Sequence, residues 1–512
     1  YSGSLKTILK EFKKGELDYE KIIGSFCLIF FKEGKIRILT DNSNLFHLFI
    51  NDSGSILSSS FLAVLAAHKK KLELNRIAVL EQLAIGYIVP PDTVASQIYF
   101  VDNFFQKKVQ SEYFSFIDFS NQEGSLNLDC ISFNECVDKQ LFKLKEYFEM
   151  INSFALEYPP DIGLSGGYDS RLIMLLSSYL NAEIFCHTHI SKEHTEESAI
   201  AKILANMMDF PLICSHIKTP EKMTEQELIN NIEDSIFYYD GRTNKNTGAP
   251  VEVHTRKYRL RTLKERKLGI NGLGGELLRN FDYLFYNRLN LVEWFKYHIM
   301  APTMGHFFLS QEELNVLINY VLFKAFKIIG IKRKRYIDKL TARKYQGEIW
   351  TPFGRGIRNN AENQLAFFLT PFSEWQIRRS VYDILPFIGV SGQFESALIR
   401  ELDKEISQVK STYGFSFDKE PYCYKLKMLT KSVIPDKLRN HMIGLKLKFG
   451  KNYEPLFKQM YKKHTVLKEI IASLQSLSLP IELNKVMKNK SDIERFIFTG
   501  YFLKRFSDKL KL

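Results

Sequence analysis

The chain has 512 residues, 45% hydrophobic and 25% charged, a globular balance that excludes disordered and collagen-like classes and leaves room for about three or four domains at ~100–200 residues each. Its wholly apolar runs, such as those around Cys27 to Phe31 and Phe61 to Ala67, are too short to cross a bilayer, and no basic stretch followed by an apolar one opens the sequence, so neither a membrane span nor a secretory signal is expected. Six cysteines (Cys27, Cys130, Cys136, Cys186, Cys214, Cys423) without CxxC spacing argue against a zinc ribbon or disulfide scaffold and fit a reducing cytoplasm, while a formal charge of +13 points to an anionic partner. The positive residues are dispersed, with short clusters only at His68–Lys71 and Lys332–Arg335, so a nucleic-acid groove is not expected and solvated helix ends are.

From Lys21 to about Phe105, β-rich runs (FCLIFF, KIRILT, LFHLFI, SILSSSF) alternate with turn-like EGK, DNSN and NDSG, the pattern of strands joined by hairpins. Helical spacing follows in FLAVLAAH and RIAVLEQLAIG, which predicts a small layered α+β domain over residues 1–130. From Phe133 a long amphipathic helix runs to Pro159 and Pro160, which cannot continue it. The order strand (DIGL), helix (SRLIMLLSSYL), strand (EIFCHTHI), helix (EESAIAKILANMM), strand (LICSHI) then predicts a parallel sheet with helices on its faces. A further strand, KLGING, precedes a glycine cluster at Gly272–Gly275, and beyond Glu276 the chain reads as mostly helical. Residues 131–512 are therefore expected to form a doubly wound α/β domain with helical additions.

The junction after DIGL is the informative one. A strand stopping at Leu164 and a helix starting near Ser170 put Ser165-Gly166-Gly167-Tyr168-Asp169 at a helix N-terminus, where free N–H groups and the macrodipole favour an anion. Glycines let the backbone approach a phosphate, and Ser165 and Ser170 add hydroxyl donors. Asp169 beside phosphate asks for an intervening Mg²⁺, whose preferred ligands are carboxylate and phosphate oxygens. The plain alternative is a glycine-rich turn capped by Asp169 or Ser170. No lysine follows the glycines, so γ-phosphate chemistry of the P-loop kind is not expected.

LSGGYDSR resembles the SGGxDS pyrophosphate loop of the PP-loop ATP pyrophosphatases, and within them the asparagine synthetases, β-lactam synthetases and lasso-peptide cyclases. The likeness extends to IGSFCLIFF, TDNSNLFHLFI and ILSSSFLAVLA in the amino-terminal region, to EESAIAKILANMM, and to NGLGGELL at Asn271–Leu278, in the place of the family's GDGxDELF. It implies an Ntn-hydrolase-like amino-terminal domain and a synthetase domain that binds ATP and Mg²⁺, adenylates a carboxylate and forms an amide with ammonia or an amine. It assigns ATP and pyrophosphate contacts to Leu164, Ser165, Gly166, Gly167, Asp169, Ser170, Gly272, Gly274 and Gly275, metal contacts to Asp169 and Glu276, and catalytic roles to Asp169 and a late lysine, Lys446 being favoured over Lys448.

The departures narrow the reading. The family's amidotransferases use a cysteine at their own amino terminus, whereas this sequence begins Tyr1-Ser2-Gly3, so a degenerate glutaminase domain is expected. Cys27 is no substitute, since a buried uncharged thiol is inert. Gly272 and Gly275 stand where the family has aspartates, and in LTPFSEW, similar to R-x-PFLD, Leu369 replaces the arginine and Phe367 an upstream carboxylate. The substrate is accordingly expected to be a small-molecule, peptide or uronic-acid carboxylate; Arg355, Arg358, Asn359 and Asn360 in GRGIRNNAEN form a polar run that could hold it, because Arg matches carboxylates bidentately, or simply cap a helix, and Arg358 and Asn360 are the candidate contacts. His187, His189 and His194 invite a zinc reading, set against their place beside the expected adenine pocket. A tRNA-modifying PP-loop enzyme and a non-catalytic nucleotide-binding partner are the alternative functions.

Overall fold

The computed structural model describes residues 5–14, 16–18, 22–32, 34–109, 111–117, 132–190, 195–217, 222–243, 252, 255–280, 289–300, 308–434, 438, 442, 445, 462–482 and 490–511. After helix α1 (Leu5–Lys14), strands β1 (Cys27–Lys32) and β2 (Lys35–Thr40) form the expected hairpin, and β7 (Phe114–Phe116) joins β2 to complete a three-stranded sheet. β3 (Leu48–Asn51) lies between β4 (Leu57–Ser58) and β6 (Ile98–Val101) in a second sheet. DNSN is therefore not a hairpin turn. Asp41 accepts N–H bonds from Ser43, Leu45 and Phe46, an Asx-type turn that carries the chain from one sheet to the other. α2 (Phe61–Ala67) and α3 (Arg76–Ile85) are capped by Ser60 and Asn75, and short β5 (Leu72–Glu73) lies between them.

α4 (Phe133–Glu157) starts at the Ser132 cap and stops ahead of the proline pair. The alternation then runs as expected through β8 (Pro160–Gly163), α5 (Tyr168–Ser177), β9 (Phe185–Ile190), α6 (Thr195–Met207) and β10 (Leu212–His216). Two helices without a sequence-based expectation follow, α7 (Glu225–Tyr238), begun by a reciprocal Thr224/Glu227 capping box, and α8 (Arg256–Leu263). β11 (Leu268–Ile270) comes next. In the predominantly helical remainder, β12 (Leu289–Asn290) pairs with β13 (Tyr336–Ile337), and β14 (Phe367–Leu369) returns to the main sheet.

That sheet has five strands, all parallel, in the order β10-β9-β8-β11-β14. It is a mixed α/β architecture in which successive strands depart from β8 in one direction and then, from β11, in the other. The three residues of β11 are all buried, as parallel strands covered on both faces must be. One core packs helices on this sheet (Ile162, Leu172, Leu204, Leu268, Phe394). A second core joins amino-terminal residues (Phe49, Phe61, Leu83) to later helices (Trp294, Leu322, Ile470, Phe502), and β15 (Leu510–Lys511) pairs in parallel with β5.

Candidate active site

The turn Ser165–Ser170 leaves the carboxyl end of β8, and Asn271–Glu276 leaves the carboxyl end of β11, its neighbour across the reversal of strand order. Such a reversal opens a crevice at the strand ends, the place where open α/β sheets bind ligands. Leu164 is buried and its N–H donates to His187 O at 2.9 Å, holding the last residue before the turn in the sheet. In the turn, Ser165 and Ser170 hydroxyls lie 2.9 Å apart, Ser170 Oγ accepts from Ser165 N–H at 3.1 Å, and Ser165 Oγ accepts from Gly167 N–H at 3.3 Å. Gly167 precedes α5 without a side-chain cap, and a Cβ there would meet only Ser165 Oγ, at 3.5 Å. The face of the turn beside Gly167 is open.

The turn is braced from behind. Arg171, fully buried, donates to the carbonyls of Ile406, Val409 and Lys410 at 3.1, 2.8 and 3.3 Å and stacks its guanidinium on Phe417. Thr412 N–H in turn donates to Gly166 O at 3.2 Å. The segment 409–413 therefore packs against the Gly166 side of the turn, and within it the exposed Lys410 pairs with Glu196 at 3.1 Å. Lys446, the lysine favoured from sequence, and Lys448 lie outside the described residues.

The second loop packs on the first. A Cβ on Gly275 would lie 2.2 Å from Asp169 Oδ1, and one on Gly272 would lie 2.8 Å from Asp169 Cβ. Glycine is needed at both positions because the loops touch, a reason different from the phosphate contact expected. Gly274, at φ +94°, fits beneath Ser373, whose hydroxyl donates to Leu273 O at 2.7 Å.

Asp169 and Glu276, expected as metal ligands, are ion-paired instead. Arg279 donates to both oxygens of Asp169, at 2.9 and 3.1 Å, and to Glu395 at 2.8 Å. Arg355 pairs with Glu276 at 2.9 Å, and Arg343 donates to the carbonyls of Glu276 and Arg279. Burial opposes the charge on Arg279, yet Asp169 and Glu395 outweigh it and hold the guanidinium protonated. Burial and then the Asp169 charge push the Glu395 carboxyl well above its usual range, against the pull of Arg279.

The other candidates are placed elsewhere. Arg358 pairs with Glu362 at 3.0 Å, and Asn360 accepts from His47 N–H at 3.0 Å while donating to Leu45 O, so the member of GRGIRNNAEN that reaches the site is Arg355. His187 is buried against Asp161 at 2.9 Å, and His189 bonds Tyr258 at 2.7 Å. His194 lies outside the described residues. Among the described residues no group of three or more His, Cys, Asp or Glu is arranged to hold a metal ion. Arg279, Arg343, Glu395 and Lys410 had no motif to announce them, since nothing in the local sequence reports on which distant loop they meet. No protein-family model matches this chain, and no curated protein matches its sequence significantly.

Proposed function

We propose that this chain is an ATP-dependent, AMP-forming carbon–nitrogen ligase. A substrate carboxylate oxygen attacks the α-phosphate, pyrophosphate leaves with the bonding electron pair, and ammonia or an amine displaces AMP to form an amide. The observation that carries the reading is the uncapped, open-faced Ser165–Ser170 turn at the crevice where the strand order reverses. The strand order also supports a doubly wound PP-loop domain, and the two small sheets of the amino-terminal region support its kinship with a glutaminase domain. Burial, then the Asp41 charge, push the Cys27 thiol up to about 11, which fits the expectation that it is no nucleophile.

In this reading the first N–H groups of α5 and the Ser165 and Ser170 hydroxyls bind the departing pyrophosphate, the hydroxyls exchanging their mutual bond for phosphate oxygens. Lys410 leaves the exposed Glu196 pair to meet charge developing between the α- and β-phosphates, a role worth on the order of 10²–10³ in rate. A magnesium ion held by the protein does not fit Asp169 and Glu276, both already paired to arginines, and no step is assigned to one.

The test is ATP–pyrophosphate exchange with pooled carboxylates, including peptides and uronic acids. Gly167→Val is compatible with the backbone (φ −88°) and places a side chain in the open face. We expect the variant to melt like the wild type and to lose exchange by about 10²-fold or more. Unchanged exchange by the variant would remove the turn from the reaction. The pairing of Asp169 favours a second reading, a nucleotide-binding partner without chemistry, whose mark is ATP binding with no exchange on any carboxylate.

A further inference from the structure

We infer that Arg279 is a built-in cation that takes the place of a protein-held divalent metal, so that this site binds the polyphosphate of a nucleotide without one. The inference rests on the nucleotide reading above and deepens it. A magnesium ion at a phosphate site is held by one or two protein carboxylates together with phosphate oxygens and water, so the protein must offer a carboxylate oxygen not already committed to a cation. Here the oxygens of Asp169 are taken in a two-pronged contact by Arg279, at 2.9 and 3.1 Å, and Glu395 is bridged to the same guanidinium at 2.8 Å. The loop cannot offer a further carboxylate, because any side chain on Gly275 would stand on the Asp169 oxygen 2.2 Å away. Glu276 turns to Arg355.

The arginine is fixed, not incidental. Its side chain is only 15% exposed, and Arg343 clamps the backbone of its turn through the carbonyls of Glu276 and Arg279. Asp169 remains 26% exposed, so the ion pair has a side open to a ligand. A guanidinium is always charged and its planar fork suits phosphate as well as carboxylate. An arriving polyphosphate can therefore share or displace Asp169 on Arg279 while Glu395 keeps the group in position. The cation that a metal supplies elsewhere is here carried by the chain.

The experiment is calorimetric binding of ATP, and separately of inorganic pyrophosphate, to the full chain in excess EDTA and in excess Mg²⁺. The wild type is expected to bind in EDTA with an affinity equal within about threefold to that in Mg²⁺. Arg279→Lys, which keeps the charge and loses the fork, should weaken binding in EDTA by about tenfold. Asp169→Asn, which releases Arg279, should bind at least as tightly as the wild type in both media. Binding that requires Mg²⁺, or that Asp169→Asn abolishes in Mg²⁺, overturns the inference and leaves the nucleotide reading standing. Absence of binding in both media overturns the two together. The wild-type comparison needs no variant to fold.

Discussion

Glu374 stands where the amino-terminal strands meet the helices around the main sheet. Its Oε1 accepts from Gly24 N–H at 2.9 Å and from the Tyr147 hydroxyl at 3.4 Å. Burial, then the nearby Asp41 charge, raise its carboxyl from 4.5 to about 8. A carboxyl raised by folding favours the native state fully below its unfolded value of 4.5, and that contribution is lost as pH rises through about 8. Glu374→Gln preserves the acceptor oxygen and removes the titration. Between pH 4.5 and about pH 8 the melting temperature of the wild type should therefore fall more steeply than that of the variant, and the difference should level off above that. Parallel curves would show that the carboxyl is already ionised in the native protein. The same scale explains why GRGIRNNAEN misled. Arg355 ends a π-helical stretch, Gln346–Arg355, whose wider turn shifts the phase of side chains. Periodicity of an ordinary helix gives no means to see that Arg355 faces Glu276 while Arg358 and Asn360 face away.

For the elements, the strongest dependence is that of α5 on the segment 406–417. Arg171 is a core residue here, and its removal leaves three carbonyls, one buried and two partly buried, without that donor. Arg171→Ala should lower the unfolding free energy by about 2–4 kcal/mol, measured in urea, and open residues 405–417 to proteolysis. A small loss without new cleavage would mean that the aromatic stack of Tyr168 on Phe417, with ring centroids 3.9 Å apart, suffices. The strands β8 to β11 and helices α4 to α6 were legible because each carries an uninterrupted pattern bounded by prolines, glycines or caps. β14 was not. Three residues, Phe-Phe-Leu, make too short an apolar run to assign, and only pairing with β11 declares them a strand. The glycine turn was legible as a strand-to-helix junction, whereas its contact with Gly272 and Gly275 came only from the adjacency of two strand ends far apart in sequence.

Across the whole molecule, one core draws on both ends of the chain. Phe502 is fully buried, packs near Phe61 with ring centroids 6.2 Å apart, and leaves only 2.9 Å for a Cβ on Gly241. Phe502→Ala should cost about 3–5 kcal/mol. Hydrogen exchange should then accelerate in residues 72–85 as well as 490–511, because α3 and β5 rest on the same cluster as the last helix and β15. Acceleration confined to 490–511 would separate the two. The division at about residue 130, read from a change of texture along the sequence, marks where the pattern of elements changes and not where packing ends.

Asn360 and Arg355 lie on one continuous helical run, Gln346–Glu362, and hold it at two points: Asn360 is bonded to Leu45 and His47 in the loop between β2 and β3, Arg355 to Glu276 of the crevice. It acts as a strut. A molecule docking against the amino-terminal sheets and displacing His47 would push on Glu276 through rigid backbone, and a ligand drawing Arg355 inward would tug the outer sheets. The first hundred residues are in this way a handle on the crevice at the strand ends.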